Sequence, residues 1–219
     1  MTPHAGDGIV LAGGRSSRFG RDKLVEPIDG APLLWRPIRA LAAAGCVHVL
    51  VVVGPDGAEP SLPPELRSIV QLARDSEPFG GPLVGLRAGL AASEAPRVVV
   101  AAGDQPALRP ELLRLLASTA AAAAAPAAVV LVDPAGIRRP LPCALDRRLA
   151  LAAAEELLAT GERRLRTMLE RLVSVVLEEP TWRVADPDAN WTLDIDAPAD
   201  LPTGASRRER HPHGPARPR

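Results

Sequence analysis

The chain has 219 residues, with 26 basic and 26 acidic side chains and a formal net charge of zero. That length suits one domain with a sizeable core. The neutral balance, three Trp, two Phe and no Tyr supply neither the cationic surface nor the aromatic platforms on which nucleic-acid binding rests.

In chain order, a buried strand is predicted over 8–12 and a helix over 32–44, closed by Gly45. A Val-rich strand follows over 47–53, bounded by Gly54 and Pro55, then a weaker one over 68–73. The pattern predicts a helix over 82–92, a strand over 97–102 and a helix over 110–124 with Pro110 at its first position. Strands over 127–132 and 141–145, helices over 149–160 and 164–171, and a strand over 172–177 complete the set. His48, inside an apolar strand, is expected to pack. Continuous apolar strands alternating with helices imply an α/β fold: a mostly parallel, Rossmann-like sheet covered on both faces, a three-layer α/β/α sandwich. Ligands of such sheets sit beyond the carboxyl ends of the strands. The chemistry is therefore expected just after Ala12, Val53, Ala73 and Ala102.

Cys46 and Cys143 are too far apart in sequence to suggest a metal cluster or a disulfide framework. The first eight residues have neither a basic segment nor an apolar run, and no stretch reaches membrane-spanning length. A cytoplasmic protein with reduced thiols and no membrane partner is expected. One domain is expected over 1–201. Residues 202–219, with five Arg, one Glu and four Pro, read as a disordered basic tail. That tail carries the positive charge that offsets an acidic body.

Of the 26 basic residues 25 are Arg; the single lysine is Lys23. It closes the loop Leu11-Ala12-Gly13-Gly14-Arg15-Ser16-Ser17-Arg18-Phe19-Gly20-Arg21-Asp22-Lys23, which follows the first strand. Paired glycines let backbone approach a ligand, and free N–H groups with nearby cations suit a polyphosphate. The spacing is that of neither a Walker A loop nor a dinucleotide fingerprint. A second candidate is Asp104, in the Gly103-Asp104-Gln105-Pro106 turn that ends the strand over 97–102. Mg²⁺ takes one or two carboxylates plus substrate phosphates, and Asp104 stands where such a ligand is needed. In Asp194-Ile195-Asp196, alternation puts both carboxylates on one face of an extended segment. Capping of a turn before Pro198 would explain them equally.

The loop resembles the signature of the nucleotidyltransferases related to the molybdenum cofactor guanylyltransferases, Leu-Ala-Gly-Gly-x-Ser-x-Arg-Met-Gly-x-Asp-Lys, with Phe19 where Met is usual. The resemblance implies a fold of the nucleotide-diphospho-sugar transferase type. It implies that Leu11, Ala12, Gly13 and Gly14 hold the base and ribose side, while Arg18 and Lys23 hold the triphosphate. Asp75, followed by Gly80-Gly81-Pro82-Leu83-Val84-Gly85, then becomes a nucleotide contact, with Gly81 beside the base. Asp104 becomes the Mg²⁺ ligand, Asp196 a second one, and Asp194 an acceptor contact. Gly161-Glu162-Arg163-Arg164 resembles a family stretch on the acceptor side, which assigns Arg163 there. Arg138-Arg139-Pro140 sits where relatives carry a polar residue and Pro. The implied activity is Mg²⁺-dependent transfer of GMP from GTP to the phosphate of molybdopterin, with pyrophosphate released and molybdoenzymes receiving the product. Two Asp where the guanylyltransferases usually carry Asn leave a cytidylyl- or sugar-phosphate nucleotidyltransferase open. So does a non-catalytic nucleotide-binding module.

Overall fold

A computed structural model describes residues 6–13, 22–77, 80–122 and 126–200. The predicted tail, and Gly14, Arg15, Arg18 and Arg21 of the first loop, lie outside these residues.

Nine strands and seven helices are seen among the described residues. They are β1 (Asp7–Leu11), β2 (Pro27–Ile28), β3 (Ala31–Pro32), α1 (Trp35–Ala44), β4 (Val49–Val53), α2 (Pro64–Arg67), β5 (Val70–Arg74) and α3 (Pro82–Ala92). Then come β6 (Arg97–Ala102), α4 (Pro110–Ala120), β7 (Ala128–Val132), β8 (Arg138–Asp146), α5 (Arg147–Ala159), α6 (Leu165–Arg171), β9 (Ser174–Leu177) and α7 (Glu179–Trp182). Seven strands form one sheet in the order β5-β4-β1-β6-β8-β7-β9. Neighbouring pairs are parallel except where β8 runs against β6 and β7. The carboxyl ends of β4, β1, β6 and β7 and the start of β8 therefore share one edge.

The Val-rich strands follow from burial on both faces. Val49, Val51 and Val53 pack with Ile38 and Leu41 of α1 and Leu112, Leu113 and Leu116 of α4. Leu50 and Val52 pack with Leu83, Leu86 and Leu90 of α3, in a cluster that also takes Ala150 and Leu157 of α5 and Met168 of α6. Alternate residues of one strand thus enter opposite cores, which removes any polar face. The three-layer α/β/α sandwich and the mostly parallel sheet are as expected. Gly89 shows how close the layers come: a Cβ there would stand 2.8 Å from Ile9 Cγ2. The two cysteines are free and lie in opposite cores, and burial pushes both thiols up to about 12.

The structure corrects several boundaries. Helix α1 starts at Trp35 rather than at residue 32, because Ala31–Pro32 pairs antiparallel with Pro27–Ile28. The turn between them is Asp29-Gly30, both with positive φ (49° and 81°), the dipeptide that a tight hairpin favours. Strand β8 is longer than the apolar stretch over 141–145, since its first residues continue the ladder with β7. Helix α5 begins at Arg147, where the Asp146 carboxylate accepts the Leu149 N–H at 3.0 Å. His48 is not packed: it precedes β4 and its side chain is 61% exposed, with Nδ1 3.5 Å from Asp7 Oδ1. Ladder pairing, not side-chain burial, makes that stretch extended.

Candidate active site

Strand β1 ends at Leu11, and Ala12 N–H still donates to Val52 O at 2.8 Å. Gly13 then passes beside β4 and β5: a Cβ there would lie at ordinary contact distance, 3.6 Å from Asp75 Oδ2 and 3.7 Å from Gly54 N. Glycine leaves that space for a ligand between the ends of β1, β4 and β5. Asp75, which donates its N–H to Val53 O, is 8% exposed. Its Oδ1 has no hydrogen-bond partner among the described residues. Burial raises its pKa, against a backbone hydrogen bond from Glu77. A buried carboxylate oxygen with an open lone pair is prepared for a donor such as a base amine or a ribose hydroxyl.

Asp104 follows the end of β6. Gly103 N–H donates to Leu11 O at 3.0 Å, holding the turn to the end of β1. Lys23 approaches from the other side. Asp22 caps its short turn by accepting the Leu24 N–H at 3.0 Å. Lys23 Nζ donates to Asp104 Oδ2 at 2.7 Å, to Ile195 O at 2.7 Å and to Asp196 Oδ1 at 3.3 Å. The Lys23 side chain is 14% exposed, that of Asp104 23% and that of Asp196 57%. Burial works against the ammonium, but the hydrogen bonds and charges of Asp104 and then Asp196 outweigh it and raise its pKa. Three residues predicted from distant parts of the chain thus meet at one point.

The Trp191–Asp196 segment reaches this point through contacts that local patterning does not reveal. Trp191 is fully buried and stacks edge-on against Trp182, with centroids 5.5 Å apart. Trp182 Nε1 donates to Val132 O at 2.8 Å. Gln105 Nε2 donates to Trp191 O at 3.1 Å, while Gln105 Oε1 accepts Ala102 N–H at 3.0 Å. Ile195 N–H donates to Asp104 O at 3.0 Å, and the Ile195 side chain is buried with Ile28 and Leu33. With Ile195 turned inward, Asp194 and Asp196 face outward together, as the alternation predicts. The capping role falls to Asp200, whose Oδ2 accepts the N–H groups of Asp196 and Ala197. Gln105, buried and bonded to both strand end and segment, is the positioning residue the sequence reading missed. Its neighbour Asp104 was visible because a strand ended there; its own partner lies 86 residues away.

Asp194 is pushed up to about 6, by desolvation first and then by the Asp104 charge, with Arg139 pulling it down. Folding therefore raises this pKa above the ordinary value of 3.8. The folded chain keeps a proton that the unfolded chain has lost between those pH values. The associated stability is fully present below about pH 4 and is lost as pH rises through about 6. In protein free of nucleotide and divalent cation, carbon-detected NMR should place the Asp194 midpoint at about 6. Asp104→Asn, which removes a neighbouring negative charge, should lower it. An unchanged midpoint in that variant would show that Asp104 does not act on Asp194.

Gly81 and Arg163 are also brought together. Gly81 has φ 90° and precedes Pro82 at the start of α3. A Cβ at Gly81 would lie 3.2 Å from Arg163 O, the same carbonyl that accepts Leu83 N–H at 3.3 Å. The Arg163 guanidinium pairs with Glu77 Oε2 at 3.1 Å. Its observed contacts are thus with the Asp75–Gly81 stretch. Glu162 accepts the N–H groups of Arg163 and Arg164 just ahead of α6, and its pKa is lowered to about 2, by the Arg164 side chain first. Leu11, Ala12, Gly13, Asp75, Gly81 and Asp104 all lie along the expected edge. No three His, Cys, Asp or Glu side chains among the described residues close into a complete metal cluster. No helix among them is long and apolar enough to cross a membrane.

Comparison with known proteins agrees with this geometry. A relative from Chloroflexus aggregans named "Probable molybdenum cofactor guanylyltransferase" is 36% identical over 198 residues, covering 89% of this chain and 90% of that protein. The molybdenum cofactor guanylyltransferase of Burkholderia vietnamiensis is 38% identical over 178 residues, covering 78% of this chain and 84% of its own. The crystal structure of molybdopterin-guanine dinucleotide biosynthesis protein A from Archaeoglobus fulgidus superposes with a TM-score of 0.71 at 23% identity, covering 89% of this chain and 94% of that one. A family model described as the MobA-like NTP transferase domain matches residues 8–176, from the first strand into β9. The fold, the strand-end crevice and these relatives together place the chain in the MobA-like NTP transferase family.

Proposed function

We propose that this protein transfers GMP from GTP to the phosphate of molybdopterin and releases pyrophosphate, through one nucleotidyltransferase domain spanning residues 1–201. The observation that carries the reading is the meeting of Lys23, Asp104 and Asp196 beyond the carboxyl ends of β1 and β6. Relatives named for guanylyl transfer to the molybdenum cofactor supply the substrate class. Molybdoenzymes that take the finished dinucleotide are the expected protein partners, in the cytoplasm.

The acceptor phosphate is itself an anionic nucleophile, so no Ser, Cys or His need form a covalent intermediate. The chain's work is positioning and charge stabilisation. Gly13 admits the nucleotide against the strand ends. Asp75 accepts hydrogen bonds from it, and the positive-φ turn at Gly81 brings the α3 N-terminus alongside. Lys23 places a compact ammonium on phosphate oxygens, a task for which a point charge with three donors is suited. Arg18 and Gly14 complete the proposed phosphate and nucleotide contacts.

Asp104 and Asp196 suit Mg²⁺: they are hard oxygen donors that already converge on one cation, the Lys23 ammonium. Two carboxylates would leave the remaining positions to substrate phosphates. When bound, the ion would neutralise phosphate charge and polarise the α-phosphoryl group. Asp104 and Asp196 would hold it, and Asp194, beside them, would contact the acceptor.

Titration with GTP, CTP and ATP in the presence of Mg²⁺, followed by pyrophosphate release with molybdopterin or sugar phosphates, tests this reading. Release with GTP and molybdopterin alone is expected. Release with a sugar phosphate, or binding without turnover for every acceptor, would overturn it.

A further inference from the structure

Among the described residues, Asp186 is the one charged side chain with no exposure to solvent. Burying a carboxylate costs free energy unless charge and hydrogen bonds compensate, and the proposed transfer makes no use of this one. Its partners show what it holds. Oδ2 accepts the Trp191 N–H at 2.9 Å. Oδ1 stands 3.3 Å from Arg109 Nε, and Nη2 of the same guanidinium donates to Asp188 Oδ2 at 2.9 Å. The Asp186 carbonyl accepts the Ala189 N–H at 3.2 Å, and Ala189 O accepts the Thr192 N–H at 3.1 Å. Residues 186–192 are thus wound round one carboxylate. Ala189 takes φ 55° within that turn, a left-handed conformation that few residues other than glycine adopt, so the surrounding bonds over-determine it.

Arg109 ties this turn to the other half of the reaction centre. It stands five residues after Asp104, and its carbonyl accepts the Leu112 N–H at 3.1 Å at the start of α4. The Asp104–Arg109 and Asp186–Asp196 stretches therefore meet at three places. Ile195 N–H donates to Asp104 O at 3.0 Å, Gln105 Nε2 donates to Trp191 O at 3.1 Å, and Arg109 holds Asp186. Of the three, only the last joins opposite charges. The backbone of Trp191 is held at both its polar groups, the N–H by Asp186 and the C=O by Gln105, and Asp196 follows five residues on. A buried ion pair is no better for stability than apolar packing, and its best-attested use is to select one geometry.

We propose that Arg109 and Asp186 are positioning residues of the reaction centre: through the backbone of Trp191, their ion pair sets where Asp196 stands relative to Lys23 and Asp104. Both act at a distance, since their own contacts are with the 186–191 turn. Mg²⁺ tolerates little departure from octahedral geometry, so two carboxylates on separate segments suit it only if their separation is fixed. The consequence for the divalent cation rests on the nucleotidyl-transfer reading; the spacing of Lys23, Asp104 and Asp196 does not.

The test uses two variants. Asp186→Asn keeps an oxygen for the Trp191 N–H but loses the charge opposite Arg109. Arg109→Gln keeps an N–H donor at the position of Nε and spares the buried carboxylate. In the first arm, without metal or nucleotide, an amine-acetylating reagent is added, and modification of Lys23, the single lysine, is timed by peptide mass spectrometry. Lys23 Nζ is bonded to Asp104, Ile195 O and Asp196. Displacement of Asp196 should speed acetylation about fivefold or more in both variants, the scale of one charged hydrogen bond, and Asp196→Ala should match them. Leu90→Ala, which opens a cavity in the opposite core, is the control for lost stability. An unchanged rate in both variants, or an equal acceleration in Leu90→Ala, would overturn the proposal. In the second arm, Mn²⁺ binding in the presence of GTP is followed by electron paramagnetic resonance. Binding about tenfold weaker is expected in both variants, the effect of disturbing groups that orient metal ligands. Undiminished Mn²⁺ affinity in variants with faster acetylation would overturn the consequence for the cation. Mn²⁺ binding that Asp104→Asn leaves unchanged would refute the placement of the cation on Asp104, and not the spacing that Lys23 reports.

Discussion

Replacing Asp104 with alanine is expected to reduce GMP transfer by about 10³-fold or more, a loss of the size seen when a preorganised charge-stabilising group is removed. The fold should survive, because the turn is held by backbone. Gly103 N–H to Leu11 O, Ile195 N–H to Asp104 O and the Gln105 bonds to Ala102 and Trp191 do not use the Asp104 carboxylate. Two effects add in the variant. The carboxylate that would hold the divalent cation is gone, and Lys23 loses its shortest bond, 2.7 Å to Asp104 Oδ2. Circular dichroism and urea unfolding would confirm the fold, and pyrophosphate release would report activity. Asp104→Asn separates size from charge: it keeps the shape but should be almost as inactive. Near-parental transfer by either variant would contradict the role given to Asp104.

Lys23→Ala is the second large effect. Without the ammonium, transfer should fall about 10²–10³-fold, chiefly through lost charge stabilisation on the triphosphate. In the free protein the change also removes the ammonium that bridges Asp104 and Asp196, at a cost of about 1–3 kcal/mol for a charged hydrogen bond. That penalty should shrink when a divalent cation is added, since the cation would bridge the same carboxylates. Unfolding midpoints with and without Mg²⁺ read this difference directly. Equal destabilisation in both conditions would mean that Asp104 and Asp196 do not receive the ion. Lys23→Arg is expected to rescue little, because a planar fork cannot fit where one point charge now meets Asp104, Asp196 and Ile195 O.

Lys23 was legible from composition alone, as the one lysine among 26 basic residues and at the end of a glycine-rich loop. Asp104 was legible because a Val-rich strand ends in Gly-Asp, and strand ends are where α/β sheets bind ligands. The layered fold followed from strands such as Val49–Val53, apolar on both faces. What stayed hidden depends on contacts between distant residues. Neither the edge-on pair of Trp182 and Trp191 nor the Gln105 bridge leaves a periodic trace, yet these carry Asp194 and Asp196 to Asp104. The Asp29-Gly30 hairpin did carry a local signal, a dipeptide suited to two positive-φ positions, and patterning alone took Pro32, the end of its second strand, as the start of the helix. His48 failed for a different reason. Apolar neighbours made its stretch look like a buried strand, but the strand proper begins one residue later.

Label transfer from GTP carrying a radioactive α-phosphate tests most directly whether the Lys23–Asp104–Asp196 centre is a guanylyl-transfer site. Incubated with this protein, molybdopterin and Mg²⁺, the label should move into the acceptor with one pyrophosphate released per label transferred. It should not move in Lys23→Ala or Asp104→Ala protein. Label that stays in GTP with the parent protein, or moves equally well with either variant, would contradict the account.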